Sequence, residues 1–167
     1  MGTTSHGTTP SRGHHIGGLH EAVAATARTS PWSTALLVGG RSVPYRVLDR
    51  TAKVVCEVMG TKASSIRLID EERDELVIKT VYNLSPEYLA KGPVRMSRAD
   101  IDKVALGPTG HEYVANMATD PRVQYPQESV REGIVSMLSV GMRYQGKPIG
   151  VLRVYTSDEQ TFSPLQV

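Results

Sequence analysis

The sequence predicts an α+β domain in which an antiparallel sheet carries helices on its faces. Three features lead to that class. A helical stretch from Tyr45 to Met59 is followed at once by a hairpin pattern, Ser64 to Asp70 and Glu75 to Tyr82, joined by the polar Asp70-Glu71-Glu72-Arg73-Asp74. A second pair of strand runs, Val135 to Tyr144 and Lys147 to Thr156, meets at Gln145-Gly146. Between the two hairpins lies an irregular middle segment with room only for short helices. Hairpins at both ends favour antiparallel pairing, with the helices packed on the sheet.

Along the chain, Met1 to Gly18 holds five Gly, four Thr, two Ser and three His. It has almost nothing apolar to bury and reads as a disordered tail, residues 1–18. His14 and His15 are either a weak metal pair or part of a solvated tail. Residues 19–44 form an N-terminal helical and linker segment. Leu19 to Arg28 suits a short helix with Leu19 and Val23 at i, i+4, and Ser30-Pro31 stops it. Thr34 to Val38 is an apolar run before Gly39-Gly40 that local pattern does not assign. The main domain, 45–167, begins with the helix from Tyr45. Val47, Leu48, Val54, Val55, Val58 and Met59 recur there at helical spacing, and Gly60 is placed to end it.

In the middle segment Ser85-Pro86-Glu87 resembles a helix start. Val94 to Met96 suits a short strand, Asp100 to Leu106 a short helix stopped at Gly107-Pro108, and His111 to Met117 a further strand. Thr119-Asp120-Pro121 is a turn, and Gln127 to Glu132 a helical turn before Gly133. Ile149, Gly150, Val151, Leu152 and Val154 are nearly continuous, as in a strand covered on both faces at the middle of a sheet. Ser163-Pro164 reads as an N-cap and first helical position, and the sequence ends three residues later, so a truncated C-terminal helix is expected.

Composition narrows the function classes. Among 167 residues the net charge is +2, too balanced to argue for nucleic acid or an acidic membrane surface. The charge is uneven, with a basic front end through residue 62 and an acidic body after it. One cysteine, Cys56, excludes an intramolecular disulfide, a multi-thiolate zinc site and any mechanism needing an intramolecular cysteine pair. It reads as a packing residue or, less simply, a reactive thiol. Nine aromatics, seven of them Tyr, leave the core mostly aliphatic. No run reaches the ~18 apolar residues of a membrane-spanning helix, and no secretory signal is visible, so a cytoplasmic location is the default. The motifs G-x-S-x-G, H-E-x-x-H and G-x-x-x-x-G-K-[ST] are absent.

From about Leu48 to Val167 the chain resembles a GAF domain. The stretches that carry the resemblance run in the family's order: Ala63-Ser64-Ser65-Ile66-Arg67-Leu68-Ile69-Asp70, Tyr82-Asn83-Leu84-Ser85-Pro86-Glu87-Tyr88-Leu89, Asp120-Pro121-Arg122 with Tyr125-Pro126, Glu132-Gly133-Ile134-Val135-Ser136-Met137-Leu138, and Gly150-Val151-Leu152-Arg153-Val154-Tyr155 with Phe162-Ser163. Three departures stand out. Asn83 replaces a usual Gly, Gly141 replaces a Pro, and the long closing helix is missing. The resemblance implies an antiparallel sheet of five or six strands between helical layers, α/β/α. It also implies a ligand pocket between the sheet and the middle segment, and a regulatory, non-catalytic role in signal transduction.

What the resemblance implies about chemistry can be set against the residues. Free methionine sulfoxide reduction uses several cysteines, and Cys56 has no resolving partner. Cys56 is in the wrong place for a bilin. His111 is the one body candidate for haem, or else a surface or packing residue. The cyclic-nucleotide signature is not found. No enzyme activity and no resident cofactor or metal are therefore expected. The expected partners are a small-molecule ligand, a second copy of the chain through helices, and an effector domain or partner signalling protein. The alternative is a dimerisation or scaffold module with a filled pocket.

The candidate ligand-binding residues are Tyr113, Asp120, Tyr125, Glu132, Ser136 and Arg153. Arg153 interrupts an apolar strand, where a charge needs solvent or a partner. It either grips a ligand carboxylate or phosphate, or pairs with Glu132 or another acid, or faces solvent. Asp120 before Pro suits a turn closed by its own carboxylate. Glu132 before Gly133 suits a carboxylate accepting backbone N–H bonds. Met117, Met137 and Met142 read as core filler. A sensor implies a cavity of roughly 300 Å³ or more near Arg153 and Ser136. A scaffold implies an interior plugged by Met or Tyr, and an enzyme two titratable groups facing one another.

Overall fold

The computed structural model describes residues 29–160 and Phe162. The expected tail at 1–18, the helix at Leu19 to Arg28 and the helix start at Ser163-Pro164 lie outside the described residues. A small hairpin comes first: β1 (Thr34–Val38) pairs antiparallel with β2 (Arg41–Pro44). Gly39 and Gly40 supply the positive φ values, 54° and 76°, that its turn requires. The unassigned apolar run is thus a strand. Its partner is the mostly polar Arg41-Ser42-Val43-Pro44, which carries no strand pattern of its own.

Helix α1 (Tyr45–Met59) ends as expected at Gly60, which adopts φ 63° and donates its N–H to the Cys56 and Glu57 carbonyls. The buried stripe is not the valine set that the spacing suggested. Leu48, Ala52 and Cys56 face the sheet, whereas Val47, Val54 and Val58 are exposed. Small residues win that face because the helix lies close to the sheet. Ala52 is fully buried, and its carbonyl accepts a hydrogen bond from Ser64 Oγ on the strand beneath, 2.7 Å away.

The main sheet has six strands, all antiparallel: β3 (Ala63–Asp70), β4 (Glu75–Tyr82), β5 (Val94–Arg95), β6 (His111–Val114), β7 (Ser136–Tyr144) and β8 (Lys147–Thr156). Their spatial order is β5-β4-β3-β8-β7-β6. The two sequence hairpins therefore join edge to edge through β3 and β8, and β8 sits inside the sheet with both faces covered, as its apolar run predicts. The middle segment supplies α2 (Pro86–Leu89), α3 (Asp100–Leu106) and α4 (Pro126–Arg131). The strand expected from His111 to Met117 stops at Val114, and a turn follows.

Alternation sorts the side chains into two sets. Ile66, Leu152 and Tyr82 pack with α1. On the other face, Ala63, Met137 and Tyr155 pack with Tyr88, Ile101, Met117 and Ile134 from the middle segment. Register pairs share a face, so the Ser65–Arg153, Arg67–Val151 and Ser139–Arg153 pairs all belong to this second, inner face. Two departures from the GAF pattern have local causes. Asn83 adopts φ 58°, a left-handed conformation that Asn tolerates, and its Nδ2 donates to the Lys62 carbonyl at 2.7 Å. Gly141 lies on the inner face, where a Cβ would overlap the Ala105 carbonyl oxygen of α3.

Candidate functional site

The inner face carries polar groups that no core of this size needs. Arg153 on β8 is 7% exposed. Its Nε donates to Asp102 Oδ1 at 2.9 Å, and its Nη2 donates to Oδ2. Asp102 projects from α3, and Ser139 on β7 donates to the same Oδ1 at 2.9 Å. The partner of Arg153 is thus Asp102, not Glu132, and a solvent-facing position is ruled out. Burial opposes the charge on Arg153, but the adjoining Asp102 carboxylate overrides it and holds the guanidinium pKa above its ordinary value.

Arg67 is the residue the sequence reading passed over. It sits on β3, 2% exposed, and its Nε and Nη2 have no hydrogen-bond partner. Its charge acts on three neighbours. Tyr155 is fully buried, with its hydroxyl 3.1 Å from Ser65 Oγ. Burial pushes the Tyr155 pKa up, but Arg67 and then Arg153 carry it below the ordinary phenol value. Tyr88 packs edge-on against Tyr155, with centroids 6.2 Å apart, and burial raises its pKa. Lys91, just after α2, is half-buried, with its Nζ 3.4 Å from the Tyr88 ring centroid. Burial, then repulsion from Arg67 and Arg153, lowers the Lys91 pKa to about 6, against the pull of Glu132 and Glu128.

Beside these groups lies a partly open cavity of about 30 Å³, whose wall includes Tyr88, Lys91, Asp102, Tyr125, Met137 and Arg153. That is room for a water or two. It is far smaller than the 300 Å³ anticipated, because Tyr88, Met117 and Met137 pack together over Tyr155 where a guest was expected.

The six sequence candidates divide. Arg153 and Tyr125 reach the cavity, and the Tyr125 hydroxyl also donates to the Pro93 carbonyl at 2.8 Å. Asp120 stands behind it. Its carboxylate accepts the Arg122 backbone N–H at 2.9 Å and pairs with the Arg122 guanidinium, which lines the cavity and also bonds Glu112 at 2.6 Å. The Arg122 hydrogen bond lowers the Asp120 pKa against burial. Glu132 accepts the Ser85 N–H at 2.8 Å and the Ser85 hydroxyl. Ser85 in turn caps α2 through the Tyr88 N–H, so Glu132 ties α4 to α2.

Ser136 and Tyr113 face away. Ser136 pairs with Thr156, and its hydroxyl bonds Thr156 Oγ1 and the Asp158 carbonyl, the latter at 3.0 Å. Tyr113 sits opposite Leu138 and meets the Phe162 ring edge-on at 5.7 Å. Strand parity explains both. Ser139, three residues past Ser136, holds the inward position that the sequence reading gave to Ser136. Cys56 lies on α1 across the sheet from the cavity, with its Sγ donating to the Thr61 carbonyl at 2.9 Å. His111 is exposed at the head of β6. Among the described residues no helix is long and apolar enough to cross a membrane.

No family model matches the chain, and no curated protein matches it in sequence. Solved structures do. The GAF domain of a phosphoenolpyruvate-protein phosphotransferase from Coxiella burnetii aligns with a TM-score of 0.63 at 15% identity, over 87% of this chain and 80% of that one. The corresponding domain from Acinetobacter aligns at 0.61 and 21% identity over the same shares. The chain has the GAF fold. A free methionine-R-sulfoxide reductase from Neisseria meningitidis, solved with its substrate, also aligns with this GAF-like chain, at TM-score 0.57 and 18% identity over 96% of this chain and 84% of that one. GAF domains and a reductase thus share the architecture, and the fold alone does not choose between binding and catalysis.

Proposed function

We propose that this GAF-like domain is a non-catalytic regulatory module that binds a small molecule between the inner face of the sheet and the α2–α4 segment. The observation that supports it is the pair of buried guanidiniums on the inner face, Arg153 in the cavity wall and Arg67 on the same face with unpaired donors, together with the half-buried Lys91 in that wall. A core that only fills space is at least as stable with apolar side chains of the same volume. Charged groups at such a place are what a specific polar guest requires. Because Cys56 packs on the opposite face, a cysteine-based reduction at this cavity has no thiol within reach, which favours binding over chemistry. Ligand occupancy would favour one arrangement of the tied α2 and α4 elements and bias the flanking helices.

The scaffold reading retains one specific observation, the cavity's filling by tyrosine and methionine. The two readings share a dimer. Val47, Val54 and Val58 form an exposed apolar stripe along α1, spaced to meet a second copy. The module would serve an effector domain or partner signalling protein in the cytoplasm. Native mass spectrometry of freshly purified protein, repeated with a panel of small metabolites, reads both properties. A dimer with bound guest mass is the expected result. A dimer that takes up no guest, with no thermal shift from any metabolite, leaves the scaffold.

A further inference from the structure

We propose that Arg67, together with Arg153 and Lys91, is the receptor for a small trigonal oxyanion, either a carboxylate or an inorganic anion of the same shape. This deepens the ligand-binding reading above and rests on it.

The inference starts from donors without acceptors. Arg67 carries five N–H donors on one planar fork and is 2% exposed, with Nε and Nη2 unpaired. A buried cation with unmade hydrogen bonds is costly, and native proteins rarely keep one without a partner. Among the described residues, the carboxylates nearest the cavity are engaged elsewhere, and Glu128 on α4 is paired with Arg131 at 3.8 Å. Asp102 takes Arg153 through both oxygens and Ser139 through one. Glu132 takes Ser85 through both oxygens, and Asp120 and Glu112 take Arg122. The Tyr155 hydroxyl bonds Ser65, not Arg67. Among the described residues, then, Arg67 Nε and Nη2 have no acceptor.

Charge and size set the class. Two buried guanidiniums, Arg67 and Arg153, face one buried carboxylate, Asp102, so a monoanion restores the balance among the buried groups. The guanidinium fork matches a planar pair of oxygens. A partly open cavity of about 30 Å³ favours an occupant of only a few heavy atoms, seated as flexible side chains give way. Arg67 is not part of the cavity wall. Its charge nevertheless bears on Lys91 and Tyr88, which are. An anion reaches the Arg67 donors when those two shift. Both belong to the α2 segment that Glu132 ties to α4, so occupancy is transmitted to the covering helices.

The test is thermal unfolding at constant ionic strength in sodium chloride, formate, acetate or nitrate, with glycerol as a neutral probe. The carboxylates and nitrate distinguish a metabolite headgroup from an inorganic ion. The expected result for the wild type is a saturable rise of about 3 °C or more with formate, acetate or nitrate over chloride. Arg67→Met should lose that rise and be more stable than wild type in chloride, because it removes the unpaired charge. Arg67→Lys keeps the charge without the fork, and it should weaken binding about tenfold while folding normally. Equal anion responses in wild type and Arg67→Met overturn the proposal, as does an Arg67→Met protein that is less stable or unfolded in chloride. A neutral guest found by mass spectrometry without any anion response overturns it too but leaves the ligand-binding reading. No guest of any kind overturns both.

Discussion

Asp102 holds the inner face together, and its removal separates stability from charge. Asp102→Asn keeps the volume but leaves Arg153 buried without a counter-charge. The expected loss is about 3–5 kcal/mol in urea unfolding. Part of that loss should be recovered by formate or nitrate, which supply the missing negative charge. Lys91 gives the pH dependence. Its neighbours are Tyr88 on α2, Tyr125, Arg67 on β3, Arg153 on β8, and Glu128 and Glu132 on and just after α4. With its pKa lowered to about 6, the folded protein sheds a proton that the unfolded chain keeps up to the ordinary lysine range. Stability should therefore rise with pH from about 6 upward, and Lys91→Gln should flatten that slope in urea midpoints measured across pH. A bound anion favours the ammonium, so binding above pH 6 takes up a proton, and affinity should fall as pH rises. At this scale the sequence showed Arg153, because a charge in an apolar strand is conspicuous. Arg67 went unnoticed because Ser65-Ile66-Arg67-Leu68 alternates like a strand with one wet face. Its burial follows only once β3 is known to lie beside β8 under the middle segment. Asp102 lies too far along the chain for any spacing rule to pair it with Arg153.

The elements fit through small residues. Gly141 admits the end of α3 against β7, and its N–H donates to the Gly110 carbonyl at 2.8 Å. Gly141→Ala should cost about 1–3 kcal/mol, read as a lowered urea midpoint with an unchanged slope, because the Ala105 backbone must move. A neutral result would mean that α3 is not seated as described. The sequence marked Gly141 as unusual but did not say what fills the place of the missing Pro. For α1 the helix and its Gly60 stop were readable from periodicity and capping. Its buried face was not, because valine hydrophobicity outweighs Ala52 in any pattern count, whereas close packing on a sheet selects the smaller side chain. Ser136 failed for a related reason. A nearly continuous apolar strand gives no parity, and only the β7–β8 register shows that Ser139 points inward.

For the whole molecule, the hairpins, the central place of β8 and the helices on both faces were all present in local pattern, since each depends on neighbours close in sequence. The joining of β3 to β8 and the tight closure of the inner face depend on distant contacts, and they emerge only in three dimensions. The six-stranded sheet carries the amphipathic α1 on one side and a small cavity walled by Arg153, Asp102 and Lys91 on the other. The most direct measurement of that cavity's purpose is a titration of the arginine Nε–H signals by two-dimensional nuclear magnetic resonance as formate or nitrate is added. The expected result is saturable movement of the Arg67 and Arg153 signals together with the amides of α2, while the amides of α1 stay in place. Arginine signals that hold still throughout, or shifts spread evenly over exposed arginines, would contradict a sheltered anion site on the inner face.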